Sequence, residues 1–145
     1  MASRLTLSSP FEGMSYIYNV SARVGWVPGC PNNPDDVQLV QFLLQENCKK
    51  ISDLAKGSWD IPFPNGTMDA VTGFWIFVQQ RGHRKSQTMD GVVSPAQGVH
   101  YGSMEWTIVS LNSDYRTLYG DQAFQDLPNS PGLGPTLNRA LQAGS

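Results

Sequence analysis

The chain has 145 residues, of which 15% are charged and 40% hydrophobic, with a net charge of −2. That is the length of one domain, with enough apolar material for a core that needs neither metal nor disulfide. The ten Lys and Arg form no basic run, which argues against a nucleic-acid partner, and no apolar run approaches the roughly 20 residues that cross a bilayer.

Residues 1–33 read as an N-terminal arm and lead-in loop. Leu5 and Leu7 alternate with polar neighbours, as do Tyr16, Tyr18 and Val20, a period of two that predicts extended segments or short strands. The opening MASRLTLSSPFEGMSY lacks the apolar core of a secretory signal, so no signal peptide is expected. From Val24 a Gly/Pro/Asn-rich stretch runs into a helix predicted over 34–48. Asn33 is a favoured N-cap, Pro34 suits the first helical position, and Asp35 and Asp36 oppose the positive end of the helix dipole. Val37, Val40, Leu44, Cys48 and Ile51 follow as one apolar stripe. Cys30 and Cys48 are the only cysteines. A bond between them is open, but the place of Cys48 in the stripe favours a small buried thiol.

Residues 49–66 form a long loop with Trp59, Pro62, Phe63 and Pro64. A second helix is expected over 67–81, capped by Thr67, with Val71, Phe74, Phe77 and Val78 as its apolar face. Another long loop, 83–102, carries His83, Asp90, Gly91, Pro95 and His100. A third helix is expected over 103–118, with Ile108, Leu111, Tyr115 and Leu118 on one side and Gly120 as its stop. Val37, Val40 and Leu44 should pack on Phe74, Phe77 and Leu111. Residues 120–145 read as a C-terminal Pro/Gly-rich arm. Pro135 opens a last short helix over 136–142, with Leu137 and Leu141 on one face.

The string NNPDDVQLVQFLL (32–44) resembles the first helix of peptidoglycan-binding-like domains, which commonly show Asn-x-Pro-x-Asp-Val and then Val-Gln-x-Leu-Leu. GTMDAVTGFWIFVQ (66–79) resembles that family's second element. DGVVSP (90–95) resembles the Asp-Gly-x-Val-x-Pro hairpin of a variant attached to phage and secretion-system proteins, and Leu111-Asn112 resembles the pair that closes it. The resemblance spans roughly 24–116. It implies a mainly α fold: a three-helix peptidoglycan-binding-like body over 34–119, flanked by extended arms and short hairpins. There are departures, including Val78 where the family has Phe before Gln, and a longer stretch over 49–61.

Chemistry is sparse. His83 and His100 share one loop without a companion at ligand spacing, so no metal is expected. No Ser sits in a Gly-x-Ser-x-Gly turn, GLGP (132–135) lacks the Lys of a phosphate loop, and Asp35/Asp36 are explained by helix capping. Neither catalytic residues nor a cofactor are expected. Trp59, Trp75 and Asp90 are candidate ligand contacts, since aromatic faces stack on sugar rings. Trp26 and Trp106 read as core or arm packing. Exposing Leu5, Leu7, Phe11, Tyr16, Tyr18, Phe124, Leu127, Leu133 and Leu137 together would leave a larger apolar surface than monomers tolerate. They are therefore candidate assembly contacts, with at least one arm reaching another chain. The expected function is a non-catalytic structural component of a phage or contractile-injection-type particle, in the particle or in the cytoplasm before assembly. Its partners would be other protein subunits, homomeric or heteromeric. The alternative is a module that binds cell-wall peptidoglycan.

Overall fold

The computed structural model describes residues 1–11, 13–50, 60–82, 89–97 and 106–142, without the side chains of Ser8, Ser9, Phe11 and Lys50. Strands β1 (Ser3–Phe11) and β2 (Met14–Asn19) make an antiparallel hairpin, paired Ser3 to Asn19 and Thr6 to Tyr16, with an irregularity between Thr6 and Phe11. Short strands β3 (Val24–Gly25) and β4 (Val92–Val93) pair antiparallel across nearly 70 residues of chain. The helices are α1 (Pro34–Lys50), α2 (Ala70–Gly82), α3 (Thr107–Tyr119), α4 (Asp121–Asp126) and α5 (Pro135–Gln142), with a 3-10 turn at Leu127–Asn129. The chain is thus mainly α with small antiparallel sheets. No described helix is long and apolar enough to cross a membrane.

Helix α1 is the axis of the core. Its expected stripe is buried at Val37, Val40, Leu44 and Cys48, and so are Leu39, Gln41, Phe42 and Leu43 between them. A helix covered on nearly every side sits inside the fold. It packs chiefly on α3, which buries Ile108, Leu111 and Tyr115 and is closed by the N–H of Gly120 bonding Arg116 O. Asn33 does hold the N-cap position by backbone, its carbonyl accepting from Val37 N at 2.9 Å, but its side-chain amide donates to Asp36 instead of accepting from the first turn. Asp36 is buried and works as a hook: it accepts Ser21 N (2.9 Å), Ser21 Oγ (2.7 Å) and Ala22 N (3.2 Å).

The terminal segments are not free arms. The hairpin and the C-terminal elements interlock, so the apolar residues expected to need another chain for cover are packed on their own body. Tyr18 is buried, donates its hydroxyl to Phe124 O at 2.7 Å and packs its ring 5.1 Å from that of Phe124, which also stacks on Tyr16. Burial holds the Tyr18 phenol far above its ordinary titration range. Leu7, Phe124, Leu127, Leu133 and Leu137 are buried within their own chain, and Leu5 and Tyr16 pack partly buried against the same core. The side chain of Phe11 lies outside the described atoms. Of the candidate assembly contacts, then, the apolar surface that needed covering is covered internally, by α5 against β1 and α4 against Tyr16 and Tyr18. Cys30 and Cys48 are both free thiols, and burial pushes that of Cys48 up to about 11.

What holds so much irregular backbone is a set of side-chain amides. Each pairs with an N–H and a C=O from distant segments, as one rung of a sheet would. Asn112 donates to Tyr18 O (2.9 Å) and accepts Tyr18 N (2.8 Å). Asn19 does the same with Ala96, and Asn32 with Gly25. Gln41 grips Gly66 N and Thr67 O, and Gln38 bridges Gly134 N and Pro64 O. Buried backbone polar groups must be paired, and here uncharged amides do it without the cost of burying a charge. That is where a good part of this chain's uncharged polar residues go.

Candidate functional site

Helix α2 decides where a site can form. Its start is set by Asp69, whose carboxylate accepts Thr72 N at 2.8 Å while its carbonyl accepts Gly73 N, so Asp69 and not Thr67 is the cap. The residues it buries are Thr72, Trp75, Ile76 and Gln80. The expected apolar face is therefore rotated: Phe74 and Phe77 are 48% and 43% exposed and do not pack as the core partners of Val37, Val40 and Leu44. Polar Thr72 and Gln80 take the inward positions because their hydrogen bonds are made there. Thr72 Oγ1 accepts from Gln41. Gln80 accepts Gly91 N (2.8 Å) and donates to Val92 O and Asp90 Oδ1 (3.0 Å each).

The rotation puts Ala70, Gly73, Phe74 and Phe77 on the outside, where Trp26 crosses the helix. A Cβ on Gly73 would collide with Trp26 Cβ, so only glycine admits this approach. Gly25 has a similar role: a Cβ there would fall 2.7 Å from Gly91 O, across the β3–β4 pair. The two glycines bring Trp26-Val27, the outer face of α2 and the Met89–Gly91 turn around one groove of about 500 Å³. Trp26 is 58% exposed within it. Among the described residues seven large hydrophobic side chains are exposed, and five of them line this groove: Trp26, Val27, Phe74, Phe77 and Met89. Scattered exposed apolar residues are ordinary, but five gathered in one concavity mark a binding surface.

The floor and walls are pre-built. Gln80 fixes the Asp90–Val92 turn from inside, and Asp90 Oδ1 also accepts Val92 N at 3.0 Å. Asp90 is the ionisable side chain among the described lining residues, at the rim of an otherwise apolar, aromatic wall. Such a surface can bind an apolar or aromatic partner. Among the described residues it offers no nucleophile with a base beside it, and no three His, Cys, Asp or Glu side chains gather as a metal site would require.

Of the candidate ligand residues, Asp90 is at the groove. Trp75 is not: it is 3% exposed, its indole N–H bonded to Asp60 O at 2.6 Å, and so it belongs to the core. Trp59, His83 and His100 lie outside the described residues. Trp26, expected in core or arm packing, is on display instead, while Trp106 is partly buried against the core. Trp26, Phe74 and Phe77 were legible only through Gly73. A glycine inside a helix is unfavourable by about 1 kcal/mol and signals that something lies close against the backbone. No family model, curated protein or solved structure matches the chain.

Proposed function

We propose that this chain is a non-catalytic component of a phage or contractile-injection-type particle, that α1, α2 and α3 form a peptidoglycan-binding-like body, and that it docks on a protein subunit through the Trp26–Phe74–Phe77 groove. The observation that carries the reading is the gathering of Trp26, Val27, Phe74, Phe77 and Met89 in that groove. Trp and Phe are strong anchors at protein interfaces, and Met adapts its shape to a partner. Support for the body comes from the motif residues, several of which act as clamps: Asn32 on Gly25, Asp36 on Ser21, Gln41 on Gly66 and Asn112 on Tyr18. A fold can keep such clamps while its ligand changes.

The test is incorporation. Particles purified from the native host should contain the chain at a fixed ratio to a structural subunit. Phe77→Ser, expressed at the same level, should be depleted from them about tenfold or more, the effect of removing an interface anchor. Wild-type incorporation of Phe77→Ser would contradict the reading.

One observation favours the wall-binding alternative. Asp90, with its carboxylate held by Gln80 and Val92 N, lines the same groove as the exposed Trp26, and a carboxylate and an aromatic ring in one groove suit a sugar. That reading requires sedimentation with purified peptidoglycan, lost in Trp26→Ala.

A further inference from the structure

Outside the groove, two exposed large hydrophobic side chains remain among the described residues, Met1 and Phe63. Met1 is a chain end. Phe63 is different. At 67% it is the most exposed of the seven, and it stands on a segment pinned from both sides. Asp60 O is held by the Trp75 indole at 2.6 Å, and Pro64 O by Gln38 Nε2 at 3.0 Å. Asn65 N–H bonds Phe63 O at 2.7 Å, and Gly66 N is gripped by Gln41. Pro62 and Pro64 are buried on either side of it, and the residue before a proline is restricted to extended backbone. Phe63 is thus an exposed aromatic side chain, a knob on a backbone with little freedom left to lose, which lowers the backbone part of the entropic cost of inserting it into a partner.

The groove is the complementary shape on the same molecule. It is concave, aromatic and about 500 Å³, room enough for a phenyl ring. Phe63 is not among the residues lining it, and its exposure shows that it does not fill the groove of its own chain. We propose that the groove takes Phe63 of a second copy. This rests on the docking reading above and names its partner. A single contact of this kind brings together six of the seven exposed large hydrophobic side chains. With a net charge of −2, copies repel one another only weakly. Knob and groove are different surfaces, so the contact is heterologous: each copy joined leaves one free knob and one free groove, and growth continues head to tail until a ring closes or a filament extends.

Sedimentation velocity over a range of concentrations tests this with two variants, Phe63→Ser and Phe77→Ser. Both sites are on the surface, and unchanged thermal melts establish that both variants fold. The wild type should grow with concentration beyond a dimer. Each variant alone should self-associate about tenfold more weakly or less. Mixed in equal amounts, the two should form a dimer and stop, because one supplies only a groove and the other only a knob. A wild type that stays monomeric overturns the inference, as does a mixture that forms no dimer or a Phe63→Ser protein that assembles like the wild type. The two proposals fail separately: loss of particle incorporation in Phe77→Ser but not in Phe63→Ser would leave the docking groove standing and remove the second copy from it.

Discussion

Asn112 shows how much a single side chain carries here. Buried beneath the hairpin, it satisfies both backbone groups of Tyr18 and also donates to Ile108 O at 2.8 Å. Asn112→Ala would leave the N–H and C=O of Tyr18 without partners in the core. At about 1–3 kcal/mol for each buried group stranded, the loss should be about 3 kcal/mol or more, read as a fall in the urea midpoint with little change in slope. A midpoint within experimental scatter of wild type would show that the clamp is dispensable. The sequence marks Leu111-Asn112 as a motif but gives no means of finding Tyr18 as its partner, 94 positions away. Side-chain identity was equally silent on the tryptophans. Trp75 and Trp26 are chemically the same, and which of them is buried follows from the phase of α2 and from the space left by Gly73.

Proline and glycine mark three element ends plainly, whereas Thr67 is not the cap of α2 and α3 begins at Thr107, not at 103. Pro34 opens α1, Pro135 opens α5 and Gly120 closes α3, each for a reason local to a few residues. The face of α2 is not legible locally, because its buried positions include Thr72 and Gln80, polar residues whose partners, Gln41 and the Asp90–Val92 turn, come from elsewhere in the chain. The packing of the hairpin on α4–α5 is hidden for the same physical reason: nothing local shows that Phe124 meets Tyr16 and Tyr18. Their interlocking makes a sharp expectation. Deleting residues 121–145 removes Phe124, Leu127, Leu133, Leu137 and Leu141 from the core. At about 2 kcal/mol for each large apolar side chain, the loss is about 10 kcal/mol, the scale of a whole domain's stability. The truncated chain should lose its cooperative thermal transition by circular dichroism. A truncated protein that melts cooperatively near the wild-type temperature would restore the view of residues 120–145 as a detachable arm.

At the scale of the molecule, most of the described apolar residues fall into two sets, with Phe63 and Met1 exposed outside both. One set, from both ends of the chain, closes a core around α1. The other, Trp26, Val27, Phe74, Phe77 and Met89, is left outside in one groove that Gly25, Gly73 and Gln80 hold open. On the proposed reading, the groove is the docking surface and the termini belong to the scaffold. Hydroxyl-radical footprinting reads it directly, because aromatic rings and Met sulfur report their own exposure. In the free protein Trp26, Phe74, Phe77 and Met89 should oxidise readily while Tyr18 and Phe124 stay protected. In the assembled protein the groove residues should become protected as well, with Tyr18 and Phe124 unchanged. Groove residues that react equally in both states, or a Tyr18 and Phe124 that are open in the free protein and close on assembly, would contradict this division and return the docking surface to the chain termini.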